Sequence, residues 1–436
     1  MCRNISLLVI SHKLRFVFLL ISILSLHGCA VMKNIPWQYW SSPLYPAEKI
    51  ERNHFSAPGE TDVVGRLAVL KLAQGDTLPD VARHFSLGVH EISIANPGVD
   101  VWVPRASERI ILPLSFILPD VQRKGIVINL AAMRLFHFKE DGSKTAWVST
   151  YPIGIGSEEQ PTPKGLMHVS RKMVRPTWHV PRQVARDRRK KGDILPEKVL
   201  PGPLNPLGEH ALYLESSYLI HGTNKPASIG LRATNGCIRL YPEDVKRLYA
   251  DTPVKTPVRV INQPYLVGRR NGWVYLEVHA TSEDPDTAEL GKMYAKLRKI
   301  ETQSARPLDW KKVKTVLTEA RGIPVPVFKI HEGSEPRDME IIEVNHPIEL
   351  YGKPKVPEMK TPAWYILSAD EREEIDALRI AAMINHQGPQ IPARVLFRNQ
   401  RYLVIAGPFH DSHEAREALK RLKIDLEMEG ILIEPR

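Results

Sequence analysis

The chain reads as a multidomain protein: a small β-α-α-β unit, a mainly-β central domain built as a sandwich, and an α+β C-terminal unit of order β-α-β-β-α-β. Three observations predict this. The 436 residues exceed the roughly 100–200 expected of one domain. Hydrophobic residues at 43% and charged residues at 25% are those of an ordinary globular chain, which excludes a polytopic membrane protein and a wholly disordered one. The local pattern also changes along the chain, from mixed helix and strand to many short strands and back, and Pro (36) outnumbers Gly (26), as linkers and stiff loops require. Three cysteines exclude a disulfide scaffold or a multi-cysteine zinc protein.

Residues 1–28 read as an export signal. Arg3, Lys13 and Arg15 precede an apolar run from Phe16 to Leu26. That run is shorter than the about 20 residues a membrane span needs, and a basic start before a short apolar core marks a secretory signal. The segment ends Leu26-His27-Gly28-Cys29 and resembles the lipobox of bacterial lipoproteins, with His27 as its departure. The resemblance implies cleavage before Cys29, lipidation of that thiol, and stable anchoring by several acyl chains. Ala30 stands where an inner-membrane retention signal would place Asp, which implies the outer membrane of a Gram-negative envelope and a periplasmic protein. Residues 29–65 are polar and aperiodic and read as a tether.

Residues 66–114 form the small unit. LAVLKL is a strand, and Asp76 or Thr77 can cap the helix PDVARHF. HEISIAN is a second helix stopped by Asn96-Pro97-Gly98, and ERIILPL closes as a strand. With GDTL and ANPG in place, the unit resembles LysM, which implies binding to the N-acetylglucosamine chains of peptidoglycan.

Residues 121–280 carry short strands. Ile126–Leu130 and Met133–Phe138 flank a hairpin, Asp141-Gly142 is a turn, and TAWVSTYPIGIG, GLMHVSRK, ALYL, YLIHG and VRVIN follow. PEDVKRLYA is a helix with Pro242 in its first turn and Glu243 and Asp244 at its positive end. This segment holds 25 Lys/Arg against 13 Asp/Glu, and Arg171–Lys191 alone holds nine basic residues and one acid, Asp187. Such a patch attracts anions. In an exported protein these are peptidoglycan stem carboxylates or anionic lipid rather than nucleic acid. The stretch reads either as a lid over a site or as a solvated loop.

Residues 281–327 read as two polar helices around Pro307, and 328–360 as a Pro-, Glu- and Lys-rich linker. In 361–436 the strand AWYILSA, the helix EIDALRIAAMINHQG, two strands about Arg398-Asn399-Gln400, the helix HEAREALKRLK and the strand GILIEP give the split βαβ order. With Gly407-Pro408-Phe409, this unit resembles SPOR domains, which implies binding to glycan strands stripped of stem peptides. Tyr402 and Phe409 can contact glycan or pack in the core.

The chemistry gathers in Ile220-His221-Gly222-Thr223-Asn224 and Thr234-Asn235-Gly236-Cys237-Ile238-Arg239-Leu240. Cys2 leaves with the signal and Cys29 carries lipid, so Cys237 stands alone in an oxidising compartment, as an inert buried thiol or a working one. As a nucleophile it needs a base and oxyanion donors. His221 can be the base, backbone N–H groups of Asn235-Gly236 can meet an oxyanion, and Arg239 can lower the thiol pKa or hold a carboxylate.

These residues resemble the L,D-transpeptidase (YkuD-type) signature: a His, a short gap, then Ser/Thr-His-Gly-Cys-aliphatic-Arg/Asn. His221, Thr234, Gly236, Cys237, Ile238 and Arg239 fit it, and Asn235 departs from it. YPIGIG, Thr162-Pro163-Lys164-Gly165, Pro176-Thr177-Trp178 and Asn205-Pro206-Leu207-Gly208 extend the likeness from about Ile126 to His279. The resemblance implies that Cys237, with His221 as base and Gly222, Thr234, Asn235, Gly236 and Arg239 in support, attacks the L-centre of diaminopimelate in a tetrapeptide stem. D-Ala leaves, and a thioester passes to an amine. A second diaminopimelate gives a cross-link, a lysine of an outer-membrane lipoprotein gives attachment to the wall, and water gives carboxypeptidase activity. No metal or other cofactor is expected. The contrasting reading is a catalytically silent wall-binding scaffold, with Asn235 as its motive.

Overall fold

The β-α-α-β order of the first unit is set by its caps. Ala68–Lys71 leads to α1 (Leu78–His84) and α2 (Val89–Ala95), and Arg109–Leu112 returns antiparallel to the first strand. Thr77 rather than Asp76 caps α1, its side chain accepting from the Asp80 N–H and satisfying one of the free donors of a helix start. Asn96 ends α2, donating to the Ile92 and Ile111 carbonyls and accepting the Ile111 N–H.

The computed structural model describes residues 46–436 apart from 59–60, 140–144, 281–285, 305, 330–340 and 436. The expected signal, Cys29, the first part of the tether and the Asp141-Gly142 turn lie outside the described residues. No helix of the described residues is long and apolar enough to cross a membrane.

The central domain is organised by a nine-stranded mixed sheet. Its strands are β1 (His54–Pro58), β2 (Gly125–Asn129), β3 (Arg134–Lys139), β4 (Thr145–Pro152), β5 (Gly165–Val174), β6 (His210–Leu214), β7 (Leu219–His221), β8 (Ile238–Arg239) and β9 (Pro257–Ile261). They lie in the order β1-β4-β3-β2-β9-β5-β6-β7-β8, with β2–β9 and β7–β8 parallel. Two helices punctuate the chain between them, α3 (Arg182–Lys190) and α4 (Pro242–Asp251).

Both faces of the sheet are covered, which explains the unbroken apolar run of β2. Val127, Phe136 and Phe138 pack with Leu70, Leu78 and Phe85 of the first unit. Ile126, Ile128 and Leu135 pack on the other face with Val169, Ile220, Ile238 and the α4 residues Val245 and Leu248. Each such burial stabilises by about 1.5–3 kcal/mol.

One buried charge joins the first unit to the sheet. Arg134 is 1% exposed. Its Nε and Nη2 donate to the two Glu91 oxygens at 2.7 and 2.9 Å, and Nη1 donates to Thr150 at 2.9 Å. The two-pronged pairing is what makes so buried a charge tolerable.

Two segments expected to connect units are partly built into them. In the tether, β1 pairs antiparallel with β4, and Val63–Gly65 pairs with Ser115–Ile117. In the 328–360 linker, Ile342–Val344 pairs parallel with Ala68–Lys71, and His346 and Lys353 bind Asp76 at 2.8 and 3.0 Å. Each covers an otherwise open sheet edge.

The helices α5 (Thr287–Gln303) and α6 (Trp310–Glu319) pack through Met293, Leu297, Ile300, Val313 and Val316 against the hairpin Tyr265–Arg270/Trp273–Val278. The C-terminal unit runs Trp364–Glu371, α7 (Glu374–Asn385), Ala393–Arg398, Arg401–Phe409, α8 (Ser412–Leu426) and Ile431–Ile433. Its strands form one antiparallel sheet with Trp364–Glu371 and Arg401–Phe409 at the centre. Phe409 is in its core. Phe397 is exposed, its ring 4.8 Å from that of Tyr402.

Candidate active site

The site is assembled by the parallel pair β7–β8. Ile220 lies opposite Ile238, and His221 opposite Arg239. Alternate residues of a strand share a face. Ile220 and Ile238 enter the core, so His221 and Arg239 turn to the opposite face, and Cys237, two positions before Arg239, turns with them. Cys237 therefore stands one diagonal step from His221 across the adjacent strand.

The turn before Cys237 is fixed from both sides. Thr234 is buried, and its hydroxyl donates to the Cys237 carbonyl at 2.6 Å. Gly236 has φ +93°, and a Cβ there would meet Cε1 of Tyr218 at 2.7 Å. Both facts demand glycine. Asn235 is exposed at the crown of this turn.

His221 is buried, and its Nδ1 lies 2.6 Å from the Gly222 carbonyl. A carbonyl only accepts, so Nδ1 carries the proton and Nε2 keeps its lone pair. Burial, and then the nearby Arg239, push the imidazole pKa down to about 3, against a smaller upward pull from the backbone of Gly222 and Leu207. The ring is therefore neutral at pH 7.

Cys237 is half-buried. Burial pushes its thiol above the ordinary value, and the Leu219 backbone and Arg239 pull it down by less. The expectation that Arg239 would lower the thiol pKa is thus outweighed by burial. Burial also lowers the Arg239 guanidinium from its ordinary value, and its Nε is buried with no hydrogen-bond partner among the described residues.

The loop facing His221 is held by Asn205, whose amide donates to the Pro176 carbonyl at 2.8 Å and accepts the Leu207 N–H at 2.9 Å. Gly208, at φ +66°, lies against Gly222 and Thr223, where a Cβ would come 3.0 Å from the Thr223 N. The basic stretch divides into the end of β5, a short pairing of Trp178–His179 with Lys198–Val199, and α3 at the tip of the excursion. None of the α3 residues is buried.

The arrangement brings a thiol, a neutral base and a guanidinium with an unused N–H to one face, a set suited to acyl transfer. Tyr218, which closes over Gly236, carries no motif and was not legible from the sequence. The close approach is signalled only by the obligatory glycine.

Residues 123–260 match the family model for the L,D-transpeptidase catalytic domain, YkuD, and residues 361–434 match that of the SPOR domain. The protein named "Probable L,D-transpeptidase ErfK/SrfK" of Escherichia coli (strain K12) is 38% identical over 226 residues, which cover 51% of this chain and 72% of that protein. The chain belongs to the L,D-transpeptidase family. "Probable L,D-transpeptidase YbiS" of the same strain is 39% identical over 221 residues, covering 50% of this chain and 71% of its own. The ErfK/SrfK protein of Salmonella typhimurium is 37% identical over 249 residues, covering 55% and 80%. This L,D-transpeptidase is an enzyme that acts on peptidoglycan, and it joins its catalytic domain to a SPOR domain.

Proposed function

We propose that Cys237 is the nucleophile and His221 the general base of an acyl transfer between peptidoglycan stems. The observation that carries this reading is the β7–β8 register, in which His221 opposes Arg239 and Cys237 shares their face.

The donor is a tetrapeptide stem. The Cys237 thiol attacks the carbonyl at the L-centre of diaminopimelate as its proton passes to Nε2 of His221, the only ring nitrogen with a free lone pair. The buried imidazole and the raised thiol make a resting thiolate unfavourable, so proton transfer accompanies carbon–sulfur bond formation. The backbone N–H groups of the Asn235–Cys237 turn and the Arg239 guanidinium are the donors for the oxyanion. His221 then returns the proton to the amine of D-Ala, which leaves, and a thioester remains on Cys237. An acceptor amine, deprotonated through His221, attacks the thioester and restores the thiol. Asn235, exposed at the turn, is not required for these steps.

The acceptor is a second diaminopimelate, and the product is a diaminopimelate–diaminopimelate cross-link. The wide excursion 176–208, with its basic helix α3, favours an anionic wall fragment at the open side. A lipoprotein lysine and water are the competing acceptors.

The remaining units place the enzyme on the wall. The 68–112 unit has the β-α-α-β order of a LysM module, and with the SPOR domain it binds glycan. The signal and Cys29 anchor the protein by lipid at the outer membrane, facing the periplasm.

Soluble protein from Ala30 onward is incubated with disaccharide-tetrapeptide beside Cys237→Ala, and the muropeptides are read by mass spectrometry. Dimers with loss of D-Ala, absent in the variant, are expected. Tripeptide alone would move the acceptor to water, and unchanged substrate would favour the silent scaffold.

A further inference from the structure

The C-terminal unit closes onto the segment that carries the catalytic histidine. Groups from two parts of the central domain meet it. Asp425 of α8, only 10% exposed, accepts Lys225 Nζ at 2.7 Å and Arg188 Nη1 at 2.8 Å. Lys225 lies four residues beyond His221, and its N–H donates to Thr223 Oγ1 at 2.9 Å. Arg188 belongs to α3, at the tip of the excursion that flanks the site. Asp193, at the foot of α3, joins the same network, binding Arg188 at 3.1 Å and Lys420 of α8 at 3.0 Å. Beside it, Gly388 of the C-terminal unit packs so closely on the Asn224 carbonyl that a Cβ there could not fit. Asn224 in turn donates to Pro203 in the loop facing His221.

We infer that Asp425 of the C-terminal unit is a positioning residue for the acyl-transfer site, holding the His221–Lys225 segment and the α3 excursion in one arrangement. Two cations from separate segments converge on a single carboxylate, and without it they would repel one another. Both carboxylates are only 10% exposed, so these pairs are screened less than pairs between fully exposed groups. Burial pushes the Asp425 carboxyl up, yet the two cations hold it below the usual range. Burial likewise pulls the Lys225 ammonium down, with Asp425 opposing. Displacing Lys225 moves Thr223 and Gly222, and the Gly222 carbonyl sets the tautomer of His221. The C-terminal unit is in this way part of the catalytic apparatus as well as a wall-binding module.

The inference rests on Cys237 and His221 being the reacting pair, and the test separates the two. Full-length soluble protein and the variants Asp425→Asn, Asp425→Glu, Lys225→Gln, the double variant Asp425→Asn/Lys225→Gln and Cys237→Ala are assayed for D-Ala release from disaccharide-tetrapeptide. Asp425→Asn is expected to lower kcat about tenfold with little change in KM, the effect of a small misplacement of reacting groups. Lys225→Gln should lose a similar factor, the double variant no more than either single change, and Asp425→Glu should recover most of the rate. Equal thermal midpoints would exclude loss of fold, and should Asp425→Asn not fold, Lys225→Gln carries the test. Unchanged kcat in both single variants would overturn the inference. A raised kcat would overturn it too, marking the contact as an inhibitory latch. Activity in Cys237→Ala would instead overturn the reading of the site.

Discussion

The resting state of Cys237 is the sharpest consequence of the site's burial. In protein beginning at Ala30, Cys237 is the sole cysteine, so alkylation by iodoacetamide, followed by intact mass, reads this thiol alone. Burial raises the Cys237 thiol above its ordinary value, so the thiol form predominates at pH 7. Burial, and then Arg239, push the His221 imidazole down to about 3, so the ring rests neutral at pH 7 and the thiol has no imidazolium partner. The alkylation rate should therefore rise about tenfold per pH unit from pH 6 to 8 without a plateau. Arg239→Gln removes the cation that opposes burial and should slow alkylation further at pH 8. An inflection below pH 7, leading to a fast pH-independent rate, would show a preformed thiolate–imidazolium pair and refute the neutral resting state.

Three further outcomes follow from the packing. Arg134→Met leaves the Glu91 carboxylate buried without its partner and should cost about 3–5 kcal/mol in denaturant unfolding, while Arg134→Met/Glu91→Leu should recover most of that; a single-variant loss below about 1 kcal/mol would contradict the pairing. Gly236→Ala should lose most D-Ala release, because its φ of +93° and the Tyr218 ring both resist a Cβ; adding Tyr218→Leu removes the clash but leaves a backbone cost of about 1–3 kcal/mol. Asp244 is buried in α4, and burial followed by Glu243 raises its carboxyl pKa to about 7. A raised carboxylate favours the folded state in its protonated form, so its contribution is full below about pH 4 and is lost as pH rises to about 7. Asp244→Asn should flatten the fall in unfolding free energy over that window, and an unchanged slope would refute it.

The sequence made the elements with strong local signals readable. PEDVKRLYA is helical over Pro242–Asp251, the first hairpin forms at β2–β3, and the C-terminal unit keeps its β-α-β-β-α-β order. What it did not disclose is fixed by tertiary pairing. β1 and Ile342–Val344 are short segments without a readable period, and each becomes a strand only because a sheet edge is present to receive it. The basic stretch 171–191 could not be divided into strand, turn and α3 because charge hides periodicity. For the site, the motif named Cys237, His221, Thr234 and Gly236, and the glycine's positive φ gives a physical reason for its presence. Burial of the thiol, which outweighs the downward pull of Arg239 and of the Leu219 backbone, is set by tertiary packing and has no local signal. Asp425 carried no signal, since its partners Lys225 and Arg188 lie 200 and 237 residues away.

The central claim is a covalent acyl-enzyme on Cys237. The direct measurement is intact-mass spectrometry of the soluble protein, quenched in acid during turnover of disaccharide-tetrapeptide without an added acceptor, with peptide mapping of the adduct. The account predicts an increment equal to the donor less D-Ala, located on the peptide holding Cys237, removed by hydroxylamine and absent in Cys237→Ala. D-Ala release with no adduct on Cys237, or with the increment on another residue, would contradict it.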